Sequence, residues 1–239
     1  MDPHSVDSAR HYPIQKGDDY VRSRCYESAQ KIYTPAGHPR EPFATSRGMR
    51  VSPFYEREVA LGGYFMEVAG WERAHGYAAN EPTLLSKYRD QVPAREAEWD
   101  NRHFWEVSNA EQLALSDGVG MINLSHFAIF DVEGADAESL MEYLSVAKVG
   151  TDTAIGKGVY THFLDQAGGI RSDLTIIRLA TDCFRVVCGG DTGHRDYIWM
   201  RNMSDKRGFA NVTFHDRSEQ LATLGLWGPD ARVTLAKLM

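Results

Sequence analysis

The segment Asp165-Gln166-Ala167-Gly168-Gly169 constrains this chain more than any other. It joins two apolar-rich runs, Gly158 to Leu164 and Ile170 to Ala180, and its diglycine supplies the positive φ that a hairpin turn requires. The two runs are therefore expected to pair as antiparallel strands. A third strand, Cys183 to Cys188, follows after Thr181-Asp182. Meandering strands with helices between them point to an α+β fold, an antiparallel meandering sheet with flanking helices, over a parallel βαβ array.

Around this hairpin the punctuation is regular. Pro53 to Leu61 reads as a short helix closed by Gly62-Gly63, and Tyr64 to Val68 as a strand ended by Gly70. Leu84 to Leu115 is polar and helical, with Pro93 marking a new helix start and Ser108-Asn109-Ala110-Glu111 resembling a capping box. Gly118-Val119-Gly120 follows that helix and reads as its C-terminal cap. Met121 to Val132 is rich in β-branched and aromatic residues and reads as one or two strands. Asp136 to Val146 predicts an amphipathic helix carrying Leu140, Tyr143 and Leu144 on one side. Beyond the central strands come a helix from Thr192 to Asn202, strands at Asn211 to His215 and Gln220 to Trp227, and a last helix opened by Pro229. The first fifty residues differ: Pro13, Pro35, Pro39 and Pro42 interrupt them, and one short helix, Asp18 to Ile32, has no consistent apolar face. They predict either an arm, residues 1–50, lying along a larger domain at 51–239 with few contacts of its own, or a linker from a missing partner.

Composition removes whole classes of function. At 239 residues and 43% apolar content the chain can bury a sizeable core without staples. A formal charge of −7 repels a phosphate backbone, so nucleic acid is not an expected partner. Cys25, Cys183 and Cys188 form no CxxC and cannot all pair, which fits a reducing cytoplasm. No run approaches the roughly 18 apolar residues of a membrane span, and Met1-Asp2-Pro3-His4 does not open a signal peptide. No membrane partner and a cytoplasmic location are the expectation.

Standard catalytic motifs are absent. There is no GxGxxG after a strand, no GxxxxGK[ST], no HExxH and no GxSxG, so no metal site is expected. His75, His126 and His162 sit in or beside expected strands and read as core or rim histidines. Cys183 and Cys188 read as core-packing thiols. The carboxylate in an unusual place is Asp173, at the start of an apolar strand, where Asp is depleted. Its structural alternatives are to bond the amides of the turn, or to pair with Arg171 or Arg178.

Six ordered stretches resemble a known family. They are Ser52-Pro53-Phe54-Tyr55 through Ala69-Gly70-Trp71-Glu72-Arg73 and Tyr77; Gly120 to His126; Gly158-Val159-Tyr160; Gly168-Gly169-Ile170-Arg171-Ser172-Asp173-Leu174; Phe184-Arg185-Val186-Val187; and Leu224-Gly225-Leu226-Trp227-Gly228-Pro229. Together they resemble the opening of the folate-binding domain of the aminomethyltransferase (glycine-cleavage T-protein) family. The Trp71-Glu72-Arg73 form, the insertion around Pro93 to Trp105 and the upstream arm are most similar to the C-terminal halves of dimethylglycine and sarcosine dehydrogenases.

The resemblance implies one-carbon transfer to tetrahydrofolate: a flavin (FAD) domain oxidises an N-methyl amine to an iminium, and the folate domain captures the carbon. By position, Asp173 falls on the family's catalytic aspartate, Tyr160 on a strand tyrosine near the pterin, and Val187 on an apolar contact to the folate ring. Phe127 stands where the T-protein has a pocket methionine, and Ser172 replaces the first of its two aspartates. Asp173 is then expected to be a buried carboxylate lining a concave pocket with Tyr160 and Val187, with Thr175 and Ile177 on its face and Leu174 and Ile176 opposite. Two features depart from the family. The flavin-binding fingerprint is missing, and so is the Gly-Tyr-Thr-Gly-Glu stretch whose glutamate anchors the pterin. The chain alone is expected to bind tetrahydrofolate weakly, with a flavin-dependent oxidoreductase domain or subunit and the rest of the folate domain as partners and a small amine as substrate. The alternative is a non-catalytic binding or structural subunit that keeps the fold.

Overall fold

The computed structural model describes residues 11–33, 42–97 and 104–239. In chain order the elements are α1 (Asp18–Tyr33), α2 (Tyr55–Ala60), β1 (Gly63–Val68), β2 (Trp71–Tyr77), α3 (Glu81–Tyr88), α4 (Trp105–Asp117), β3 (Gly120–Asn123), β4 (Ala128–Glu133), α5 (Ala137–Leu144), β5 (Gly158–Leu164), β6 (Ile170–Ala180), β7 (Cys183–Cys188), α6 (Gly193–Arg207), β8 (Thr213–Asp216), β9 (Leu224–Trp227) and α7 (Ala231–Ala236). They form two compact units, one holding residues 125–222 and the other residues 13–124 and 223–239. Mixed helices and antiparallel sheet are the architecture the sequence predicts.

The 125–222 unit is built on a five-stranded sheet in the order β5-β6-β7-β4-β8, every pairing antiparallel. The diglycine turn forms as its composition requires. Gly168 takes φ +83°, and the Asp165 carboxylate accepts the amides of Ala167 and Gly169 at 2.8 Å each. Alternation along β6 then divides the sheet. Ser172, Leu174, Ile176 and Arg178 are buried on one face, while Asp173, Thr175 and Ile177 stand on the other. Phe130, Val132, Phe163, Phe184 and Val186 share the buried face with Leu140, Met141 and Leu144 of α5 and Met200 of α6. Each such side chain contributes about 1.5–3 kcal/mol when withdrawn from water.

Helix α5 corrects one expectation. Its buried stripe is Ala137, Leu140, Met141 and Leu144, the i, i+3, i+4, i+7 repeat of a core-facing helix. Tyr143 lies off that repeat and is 44% exposed. Cys188 is buried in the core as expected, whereas Cys183, at the outer end of β7, is half-buried.

The second unit departs further from the sequence reading. Strand β1 does not end the pattern but turns through Ala69 (φ 54°) and Gly70 (φ 86°) into β2. Two successive positive φ angles are the signature of a type I′ hairpin. Helix α4 starts at Trp105, so Ser108 lies inside its first turn and caps nothing; Glu111 instead accepts from Asn80 at 2.7 Å. No helix starts at Pro93, whose carbonyl accepts the Trp105 indole at 2.7 Å. Within the insertion, residues 98–103 lie outside the described residues. Gly118 caps α4 as expected, its amide donating to the Ala114 carbonyl at 3.0 Å, but with φ −147° and ψ −112° it is not left-handed. The stretch 121–132 resolves into β3, which pairs with β9, and β4, which belongs to the five-stranded sheet.

The arm is held more firmly than its composition predicts. Arg24 of α1 pairs with Glu67 at 2.7 Å, and Arg47 with Glu72 at 2.5 Å. Glu27 accepts the amides of Ala44 and Thr45 at 2.7 and 2.9 Å and the Thr45 hydroxyl at 2.5 Å. Burial opposes the ionised form of Glu27, but these donors and Lys31 outweigh it and bring its pKa to about 2. The apolar side chains of α1 remain largely outside: Val21, Tyr26 and Ile32 are exposed. Pro35 and Pro39 lie outside the described residues.

Candidate functional site

The pleat that buries Leu174 and Ile176 sets Asp173 on the opposite face of the sheet. Register aligns its neighbours there. His162 of β5 is the direct partner of Asp173 on β6, and Tyr160, Thr175, Val187 and Ile129 form the adjacent row across β5, β6, β7 and β4. Thr175 and Ile177 share the face of Asp173, as alternation predicts. Phe127 enters β4 one residue before Ala128, which pairs with Cys188, and its ring meets that of His126 edge-on at 5.1 Å.

Asp173 is exposed, not buried, which corrects the expectation of a desolvated carboxylate. The reason is positional, since it lies three residues past the turn on the face that α5 and α6 leave uncovered. Its structural alternatives also fail. The turn amides belong to Asp165; Arg171 stacks over the Trp199 ring at 4.6 Å; Arg178 is buried against Glu138 at 3.0 Å and the carbonyls of Gly150 and Thr153. The contact Asp173 makes is with Tyr160, whose hydroxyl donates to Oδ2 at 3.3 Å and lies 3.5 Å from His162 Nε2. The Tyr160 phenol is pushed above its ordinary pKa by lost solvation and by the charge and hydrogen bond of Asp173.

Tyr160, Asp173 and Val187 thus meet on one face, two of them in contact. They do not line the cleft of about 580 Å³ found elsewhere in this unit, whose walls include Tyr143, Leu164, Trp199 and Met203.

Two polar clusters on this sheet escaped the sequence reading. Asp131, buried on β4 on the same sheet face as Asp173, binds Arg185 at 2.8 and 3.0 Å and Arg217 at 3.1 Å. Burial works against its charge, but the two guanidiniums prevail and hold its pKa below the usual carboxylate value. The available signal was an aspartate inside the apolar run Ala128 to Val132. Behind the sheet, Asp196 of α6 accepts from Ser172 at 2.7 Å, from Thr192 at 3.0 Å and from Arg195 at 3.1 Å. Burial is the larger influence there and raises its pKa, while Cys188 nearby is raised well above its ordinary value by burial first and the Asp196 charge second. Ser172 is therefore the pin between β6 and α6, one residue from Asp173.

Among the described residues no helix is long and apolar enough to cross a membrane.

The chain has known relatives. Residues 1–52 match the FAD dependent oxidoreductase central domain. Over its whole length the chain is 32% identical to 4-methylaminobutanoate oxidase (formaldehyde-forming) of Paenarthrobacter nicotinovorans, covering 27% of that protein. It is 28% identical to the mitochondrial sarcosine dehydrogenase of Mus musculus, again over the whole chain and covering 29% of the relative. The chain thus spans less than a third of the length of these curated relatives. Its fold is that of the glycine cleavage system aminomethyltransferase T from Bartonella henselae, with a TM-score of 0.56 at 23% identity over 80% of this chain and 44% of that one. Residues 54–239 match the GCVT N-terminal domain, and the chain belongs to that family.

Proposed function

We propose that this chain is the folate-side component of an N-methyl amine demethylase, passing a one-carbon unit to tetrahydrofolate. The observation that carries this reading is Asp173, a carboxylate on an open sheet face that, among the described residues, is bound by a phenol and by no guanidinium. No guanidinium among the described residues offsets its charge, which leaves it open to a cationic ligand, whereas the charge of Asp131 is already offset by Arg185 and Arg217. The match of residues 1–52 to a flavin oxidoreductase domain supports residues 1–50 as an arm from the flavin side and 51–239 as the folate side.

The residues fit tetrahydrofolate in chemical type. Val187 and Phe127 offer apolar and aromatic surface for a flat ring, and the Asp173 carboxylate accepts from ring or bridging N–H groups. When bound, tetrahydrofolate supplies the nucleophilic nitrogen that captures the carbon. The protein's part is electrostatic and positional. Asp173 stabilises the positive charge of the iminium and of the departing ammonium, and Tyr160 fixes one carboxylate oxygen so that the charge is aimed before substrate arrives. FAD would belong to the oxidising part of the longer protein or of a partner, and that part would select the amine.

Nuclear magnetic resonance mapping of tetrahydrofolate added to the chain tests the proposed location. Saturable shifts are expected at Tyr160, Asp173 and Val187, with a Kd on the order of 0.1–1 mM (about −5.5 to −4 kcal/mol) because the family's pterin-anchoring glutamate is not in this sequence. Shifts confined to the Trp199 cleft, or none at millimolar ligand, would overturn the reading.

A further inference from the structure

We infer that His162 is a positioning residue for the Tyr160–Asp173 pair, holding the phenol toward the carboxylate by donating to it from Nε2. This deepens the folate-side reading and rests on it for its purpose, but not for its geometry. From the sequence His162 reads as a core or rim histidine beside an expected strand. The structure places it opposite Asp173 in the β5–β6 register, on the same strand and face as Tyr160. The Tyr160 and His162 rings meet edge-on at 74° with centroids 5.2 Å apart.

The directions of the hydrogen bonds follow from donor counting. An ionised carboxylate only accepts, and a phenol has one proton to give. If Tyr160 donates to Asp173 Oδ2 at 3.3 Å, its oxygen can only accept from His162 at 3.5 Å. The imidazole must then carry its proton on Nε2. With the proton on Nδ1, Nε2 would instead compete for the phenolic hydrogen and draw it off the carboxylate. The tautomer of His162 therefore selects which way the Tyr160 hydroxyl points. Among the described residues Oδ1 of Asp173 has no hydrogen bond, so the chain His162–Tyr160–Asp173 fixes one oxygen and presents the other.

The test combines a spectroscopic and a binding measurement on the full chain. Nitrogen-15 resonances of His162 should show the Nε2–H tautomer, and Tyr160→Phe should relax that preference. Tetrahydrofolate binding should weaken about fivefold in His162→Ala, the size of one ordinary hydrogen bond. In His162→Gln, which keeps an N–H donor, it should stay within twofold of wild type. The double variant His162→Ala/Tyr160→Phe should be no weaker than Tyr160→Phe alone, since both changes break one chain. An Nδ1–H tautomer in the wild type, or losses that multiply in the double variant, would overturn the inference. An Nε2–H tautomer that depends on Tyr160, in a chain that shows no response to tetrahydrofolate, would uphold the positioning and refute only the folate reading.

Discussion

Two aspartates on one sheet face show how surroundings divide the uses of a single residue type. Asp131 sits between Arg185 and Arg217, where its charge is cancelled and its role is to tie β4, β7 and the end of β8 together. Asp173 has a phenol for a neighbour, which bonds to it without cancelling its charge. That difference makes a prediction on Tyr160. Its phenol is held above its ordinary pKa by lost solvation and by Asp173, so Asp173→Asn should move its ionisation back down toward the free value. Carbon-13 resonances of Tyr160 through an alkaline titration measure this directly. An unmoved midpoint would mean that the two side chains do not interact in solution.

At the scale of elements, the arm gives the sharpest pH test. The pKa of Glu27 is lowered from 4.5 to about 2 in the folded chain. A depressed carboxylate contributes stability that is fully present above its unfolded value and is lost as pH falls through the folded one. The docking of α1 on residues 44–45 should therefore hold above about pH 4.5 and fail progressively toward pH 2. Hydrogen exchange at the amides of Ala44 and Thr45 reports it. Glu27→Gln should make those amides exchange quickly at neutral pH, at a cost of about 1–3 kcal/mol in arm docking. Slow exchange in that variant would show that Arg24–Glu67 and Arg47–Glu72 suffice without Glu27.

The elements also show what a sequence exposes and what it hides. The strands at 158–164, 170–180 and 183–188 are legible because Gly168 and Gly169 leave few choices for the turn and because the runs beside it are rich in apolar residues. Strand β2 is not, since Trp-Glu-Arg-Ala-His-Gly-Tyr carries Glu72, whose partner Arg47 comes from the arm, and a local pattern cannot show that pairing. The false capping box at Ser108 has the same origin: Glu111 has the right spacing, but tertiary contact gives it to Asn80. For the candidate site, resemblance and alternation together put Tyr160, Asp173 and Val187 on one face. The exposure of Asp173 was hidden, because which face the helices cover is settled by α5 and α6 far along the chain. Asp131 was overlooked because its two arginines lie 54 and 86 residues away.

At the scale of the whole molecule, the family match over 54–239 and the flavin-type match over 1–52 place two kinds of sequence in one chain. Under the proposed function, Asp173 performs the electrostatic work of one-carbon transfer on the folate side. The most direct measurement is the rate of methylenetetrahydrofolate formation by the longer protein or complex that oxidises the amine, comparing wild type with Asp173→Asn. The substitution keeps the shape of an exposed side chain and removes its charge, so the fold should be unaffected and amine oxidation should continue, with the carbon released as formaldehyde. Transfer to tetrahydrofolate should fall about a hundredfold or more, the usual cost of removing one aimed electrostatic contact. Transfer at the wild-type rate in the Asn variant would contradict the account and leave Asp173 as an ordinary surface carboxylate.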